Sequence, residues 1–212
     1  MLEITILTNQ TSWMNQYNII LQNELNLLNH HVKLIHSKNE LQKGDIAFFL
    51  SCFEIISQEY LDLNTHNIVV HASDLPQGKG WSPMSWQILE GKNKIPITLF
   101  EATASVDAGD YYIKDKISLK GNELIKDWQD KLGKKIVEMC IYYVKNYEKM
   151  QGITQKGEES FYKKRTPDDS KLDINKTIKE QFNLLRIVDN ENYPAFFEIN
   201  NEKFVIKIEK SN

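Results

Sequence analysis

His71 closes the apolar run "NIVVH" and opens the loop "HASDLPQGKGWSP"; further along, after the apolar run "IPITLFE", a second loop carries Asp107. An imidazole and a carboxylate brought together by two loops can hold or move a proton, because the carboxylate selects one ring tautomer and favours the charged ring. A histidine at a strand end beside a polar loop is more often a hydrogen-bonded structural residue, so the pattern alone favours the structural reading. Other chemistries find less support. Ser73, two residues past His71 on one extended segment, lacks the strand-to-helix elbow that exposes a hydrolase nucleophile. There is no glycine-rich dinucleotide fingerprint and no phosphate loop, which leaves hydride transfer and ATP chemistry without a basis. Cys52 has no basic neighbour to make it a thiolate, and His36 and His66 share no metal-ligand spacing with Cys or Asp.

The elements that must position the pair follow from periodicity. "LEITIL", "HVKLI", "DIAFFL" and "NIVVH" are short, apolar and rich in β-branched or aromatic residues, as buried strands are. Between the first two, Ile20, Leu21, Leu25 and Leu28 recur at helical spacing, with Ser12 as a plausible cap. A short helix over 84–89, the strand "IPITLFE" and an extended "DYYIKDKISL" come next. Over residues 122–148, Leu124, Ile125, Trp128, Leu132, Ile136, Cys140, Tyr143 and Tyr147 define one face of a long packing helix. The polar stretch "GITQKGEESFYKKRTPDDSK" reads as a connector, and its run Lys163, Lys164, Arg165 as a solvated one. Beyond it, Ile178, Phe182 and Leu185 suit an amphipathic helix, and "AFFEINNEKFVIKI" two strands turning at Asn200 and Asn201. The alternation predicts an α/β fold with a mostly parallel sheet. Ligands of such sheets sit beyond the carboxyl ends of the strands, where "TNQTSW", "SCFEI" and "HASDLPQGKG" converge, and the Asp107 loop is expected to join them.

Composition narrows the partners. The 212 residues hold 26 basic and 29 acidic side chains, a formal charge of −3 that disfavours long contacts with nucleic acid. No run approaches the roughly 18 apolar residues of a membrane span, and the chain does not start with a basic, then apolar, segment. Two isolated cysteines point to free thiols in a cytoplasmic protein.

"HASDLPQGKGWSPMSWQILEG" followed by "IPITLFEATASVDAGDYY" resembles the folate-dependent formyltransferase family, which includes methionyl-tRNA and sugar N-formyltransferases. His71, Ser73, Leu75, Pro76, Gly80, Pro83, Trp86 and the Asp107–Gly109 step carry the likeness, which spans residues 45–113. It implies a Rossmann-like formyltransferase domain over 1–150, a linker over 151–174 and a small helix-plus-hairpin unit over 175–212. It also implies transfer of a formyl group from N10-formyltetrahydrofolate to an amine, without a metal, with His71 stabilising the tetrahedral intermediate and moving a proton while Asp107 orients it. Cys52, Phe53, Glu54, Ile55, Ala102 and Asp107 are the implied contacts to the folate; Asn9, Trp13, Ser73, Lys79, Gly80 and Trp81 those to the acceptor, with Trp81 a face on which a base or sugar can stack. One departure stands out: the family has an asparagine two positions before the histidine, and here Val69 stands there. Asn67 lies two residues further back, about 6 to 7 Å along a strand, and is not assigned the role.

The acceptor implied is an amino sugar carried by a nucleoside diphosphate, such as a UDP-linked 4-amino-4,6-dideoxy-N-acetylhexosamine of the pseudaminic type. A methionyl-tRNA formyltransferase-like enzyme and a non-catalytic folate- or nucleotide-binding module are the alternatives, the latter suggested by Val69. The tail hairpin has more apolar surface than so small a unit can shield, from which a homodimer is expected.

Overall fold

The computed structural model describes residues 1–211. Strands β1 (Glu3–Leu7), β2 (His31–Ile35), β3 (Gly44–Phe49), β4 (Asn64–His71), β6 (Lys94–Glu101) and β7 (Tyr111–Ser118) form one sheet in the order β2-β1-β3-β4-β6-β7. The pairs β1–β2, β1–β3 and β3–β4 are parallel, whereas β4–β6 and β6–β7 are antiparallel. A two-residue strand β5 (Lys79–Gly80) leaves the loop after β4 and pairs in parallel with β8 (Phe161–Tyr162).

Strand alternation sends side chains to two faces. One face, with Ile4, Ile6, Ile46, Phe48 and Ile68, is covered by α1 (Asn15–Leu27) and α4 (Ile125–Asn146) in the main core. The other, with Leu7, Ala47, Phe49 and half-buried Val69, is covered thinly by Leu61 of α2 (Gln58–Leu61) and by Leu41. The predicted face of the long helix is the buried one: Trp128, Leu132, Ile136, Cys140 and Tyr143 all lie inside. Ser12 does not cap α1; its hydroxyl accepts the Met14 N–H at 3.1 Å, one turn ahead of the helix.

The tail folds back. Helix α5 (Phe182–Ile187) packs beside α3 (Pro83–Leu89), and it is shorter than its apolar spacing suggested, since Ile178 is exposed. Strands β9 (Ala195–Ile199) and β10 (Glu202–Ile206) form the predicted hairpin, with Asn200 and Asn201 both at positive φ. Its surface leaves Ile199, Phe204 and Val205 exposed. Among the described residues no helix is long and apolar enough to cross a membrane.

Arg186 docks this tail. Its buried guanidinium lies 3.6 Å from the Glu123 carboxylate, donates to the Glu123 carbonyl at 3.3 Å and to Asn183 at 3.0 Å, while its own carbonyl accepts Trp128 Nε1 at 3.0 Å. Burial works to raise the pKa of Glu123, but Lys131 at 2.5 Å and the N–H groups of Lys120 and Gly121 outweigh it and hold the group at about 2. A carboxyl depressed in the folded state contributes stability that is complete above its ordinary value of 4.5 and lost as pH falls towards 2. Urea unfolding between pH 5 and pH ~2 should therefore show the stability of Glu123→Gln falling less steeply than that of the wild type.

Candidate active site

His71 is the last residue of β4, and Asp107 lies in the loop 102–110 between β6 and β7. Their side chains meet: His71 Nε2 is 3.8 Å from Asp107 Oδ2, with 10% and 13% of the two side chains exposed. The route to that contact differs from the expected one. Because β6 runs antiparallel, it passes His71 at Thr98 and ends three residues beyond, at Glu101 beside Ile68, so the following loop must fold back over the sheet to reach His71. Asp107 makes that reversal at φ 51°, in the left-handed region that costs a non-glycine residue roughly 1–2 kcal/mol.

Three contacts fix the reversal. The Asp107 carboxylate accepts the Gly80 N–H at 2.8 Å, which ties it to the loop after β4. Gln155 Nε2 donates to the carbonyls of Asp107 at 3.1 Å and Gly109 at 2.7 Å. At Gly109 a Cβ would stand 1.8 Å from the Glu101 carbonyl oxygen, which gives the glycine of the Asp-x-Gly step its physical reason. Gly80 is equally constrained: it sits at φ +93°, and a Cβ there would meet the Tyr162 carbonyl at 2.6 Å.

The proton on His71 can be placed. Nε2 lies 2.8 Å from the Gly78 carbonyl, and a carbonyl only accepts, so Nε2 carries hydrogen. Ser73 donates its N–H to the His71 carbonyl at 2.9 Å, and its own carbonyl accepts Thr98 Oγ1 at 2.7 Å. The Ser73 hydroxyl is buried and has no partner among the described residues.

The remaining expected residues divide. Phe53, largely exposed, lies against Trp81 with ring centroids 5.7 Å apart, and its N–H is held by Asn9 Oδ1 at 2.8 Å, so Asn9, Phe53 and Trp81 form one cluster. Ile55 is exposed beside them in sequence, Glu54 is half-buried, and Cys52 is a free thiol whose pKa burial pushes up, in keeping with an inert side chain. Lys79 is a correction. Expected to reach an acceptor, it has only 3% of its side chain exposed and pairs with Glu159 at 2.5 Å. Trp13 likewise turns inward, edge-on to Tyr17 at 6.0 Å, against the main core.

The polar stretch after α4 does more than connect. Its Ile153 bridges to Tyr111, Ser160 Oγ accepts the Gly78 N–H at 2.8 Å, and Tyr162 stacks on Trp86 at 6.2 Å. Arg165, read as solvated, is half-buried and donates to Ile187 and Ser170. Lys164 does stand in the open, 4.8 Å over the Trp81 ring. His66, set aside as a metal ligand, sits 3.3 Å from Glu101 and edge-on to Tyr112, Tyr143 and Tyr147, contacts that a lone histidine in a strand does not announce by pattern.

Two shallow cavities open on the sheet. One, about 350 Å³, lies by Glu3, His31 and Gly44 at the amino ends of the strands, away from the pair. The other, about 390 Å³, is lined by Leu61, Asn64, Asn67, Ala102 and Thr103, under the loop that carries Asp107. Asn67, Val69 and His71 share one face of β4, so this cavity and His71 lie along one line of side chains.

Comparison with known proteins gives this arrangement a family. The model of the formyl transferase domain matches residues 17–143. The methionyl-tRNA formyltransferase of Mycoplasma capricolum is 28% identical over 198 residues, 91% of this chain and 62% of that protein, so the chain spans about three fifths of its relative's length. Two solved structures share the fold: HypX from Aquifex aeolicus in complex with tetrahydrofolic acid (TM-score 0.80, 19% identity, 95% of this chain and 36% of that one), and a 4-N formyltransferase from Francisella tularensis (TM-score 0.74, 18% identity, 100% and 98%). With well over half of its residues inside the domain match, the chain belongs to the formyl transferase family.

Proposed function

We propose that this protein transfers a formyl group from N10-formyltetrahydrofolate to the amine of a nucleotide-linked amino sugar. The observation that carries the reading is the nearly buried His71–Asp107 contact at 3.8 Å, reached only because the loop after β6 folds back. In the reaction the amine nitrogen bonds to the formyl carbon, the carbon–N10 bond breaks, and the proton lost by the amine passes to N10. A tetrahedral intermediate with a negative oxygen lies between, and it calls for a hydrogen-bond donor and a proton carrier.

The residues present suit the folate. Asn67 Oδ1 is buried without a partner among the described residues and its residue lines the 390 Å³ cavity, so a donor on a pteridine edge would satisfy it. Ala102 lines the same cavity, as the resemblance implies. The folate supplies the formyl carbon; the chain orients it and handles charge and proton. Val69 offers no donor, Asn67 already gives its Nδ2 to the Leu61 carbonyl at 2.9 Å, and the Gly80 N–H is held by Asp107. By the same test the Nε2–H of His71 is committed to the Gly78 carbonyl, so Nδ1 of the ring is assigned the proton and, once protonated, the developing oxyanion, with Asp107 stabilising the charged ring.

The acceptor reading rests on the cluster of Asn9, Phe53 and Trp81. Trp81 and Phe53 present two exposed aromatic faces and Lys164 a cation over one of them, a combination that suits a nucleobase and its phosphates. The likeness to methionyl-tRNA formyltransferase sequences favours a second acceptor, an aminoacyl-tRNA, which a net charge of −3 makes the less favourable choice. Free thiols at Cys52 and Cys140 suit a reducing, cytoplasmic setting.

Purified protein supplied with N10-formyltetrahydrofolate should formylate one member of a panel of UDP- and dTDP-linked 4-amino-4,6-dideoxyhexoses and leave methionyl-tRNA unmodified. His71→Ala and Asp107→Ala should each lower kcat by about 10²–10⁴-fold with the circular dichroism of the wild type. Tight folate binding without turnover on any amine would instead identify a binding module. The exposed Ile199, Phe204 and Val205 of the hairpin lead us to propose a homodimer, and a monomer mass in light scattering would refute it.

A further inference from the structure

Gln155 comes from the polar stretch after α4, outside the residues matched to the family domain, yet it is the side chain that holds the backbone on both sides of Ala108. Its amide can face the two carbonyls in one way only. With Nε2 turned towards them it donates to Asp107 at 3.1 Å and Gly109 at 2.7 Å; turned over, Oε1 would oppose two oxygens. Oε1 is buried and unpartnered among the described residues, so nothing on the other side selects the orientation.

The segment bearing Gln155 is itself fixed at both ends. Two residues before it, Ile153 exchanges hydrogen bonds with Tyr111 at 3.0 and 2.9 Å, at the start of β7. Beyond it, the Ser160 carbonyl accepts the Lys79 N–H at 2.9 Å, Ser160 Oγ accepts the Gly78 N–H, and the Tyr162 carbonyl accepts the Trp81 N–H at 3.1 Å. The nearly buried Lys79 closes on Glu159 of the same segment. Thus one strap, residues 153–162, is hydrogen-bonded to the loop that carries Asp107 and to the loop whose Gly78 carbonyl holds His71.

We infer that Gln155 is a positioning residue for Asp107, fixing the left-handed turn that presents the carboxylate to His71 and to the Gly80 N–H. The catalytic side of this inference rests on the formyl-transfer reading above; the structural side does not. Gln155 touches no reacting atom. It acts through the main chain, and its loss would let the loop 102–110 relax away from His71 while the strap stays in place. A displacement of about 1 Å at a reacting group is enough to cost up to a hundredfold in rate.

Two variants separate the possibilities. Gln155→Met keeps the side-chain length and removes the donor; Gln155→Glu places a carboxylate against two carbonyls and regains one O–H donor when protonated. Hydrogen exchange on the ligand-free protein provides the first readout. In Gln155→Met the Gly80 amide, which is held by Asp107, should exchange faster, while the Trp81 amide, held by Tyr162 of the strap, should stay as protected as in the wild type. Kinetics provide the second: kcat should fall about tenfold or more with both KM values nearly unchanged, and the ratio of Gln155→Glu to wild-type kcat should climb as pH falls into the carboxyl range. Unchanged Gly80 exchange, or a wild-type kcat in Gln155→Met, overturns the inference, as does a Gln155→Glu to wild-type ratio that stays flat with pH. If Gln155→Met does not fold, that ratio decides. A wild-type protein inactive on every amine defeats the formyl-transfer reading instead, and the exchange experiment then still decides whether Gln155 holds the turn.

Discussion

The site depends on one close approach, an imidazole and a carboxylate 3.8 Å apart with little water around either, between residues that the sheet by itself would keep apart. Parallel strands deliver their loops to one end, which is why α/β sheets gather ligands there. His71 conforms, at the end of β4. Asp107 does not, because it follows an antiparallel strand that leaves the sheet beside Ile68. The whole apparatus around it — a left-handed residue, a glycine pressed on the Glu101 carbonyl, a carboxylate clamped by the Gly80 N–H — exists to bring one short loop back across the face of β4.

That geometry explains why the fold was more legible in the sequence than the site. Strands and the long helix announce themselves through periodicity, since burial on one side imposes a repeat of two or of about 3.6 residues. The pairing direction of β6 leaves no such trace, so the loop after "IPITLFE" could be expected near His71 but not the way it gets there. Lys79 shows the opposite failure. A lysine beside two glycines in a polar loop looks available to a ligand, and only the packing of Phe161 and Glu159 over it shows that its charge is already answered. Trp13 was misread for a related reason, because a tryptophan suits a pocket wall and a core equally well and its partner Tyr17 belongs to the next helix.

The strap was invisible for a different reason. Composition marks "GITQKGEESFYKKRTPDDSK" as polar and turn-rich, and such stretches are usually solvated connectors. Its bonds to the site run through the main chain of Ile153, Ser160 and Tyr162 and through the side chains of Gln155 and Ser160. Backbone pairing asks almost nothing of residue type, and a polar side chain that satisfies a buried carbonyl looks in sequence like one that faces water. What did leave a mark was the partner side: Gly78 and Gly80 are required because Tyr162 occupies the space a side chain would fill.

The same clamping bears on what Asp107 does for His71. At 3.8 Å the carboxylate is beyond a hydrogen bond from Nε2, whose proton points at the Gly78 carbonyl, so its influence is that of a charge. A neutral imidazole gains little from such a charge. An imidazolium is attracted to it, against the cost of holding both groups out of water. Because the Gly80 N–H already fixes the carboxylate, no reorganisation is needed when the ring takes up a proton. The interaction is then strongest in the state in which the ring carries charge, which is the condition for a contact to lower a barrier rather than merely tighten a complex.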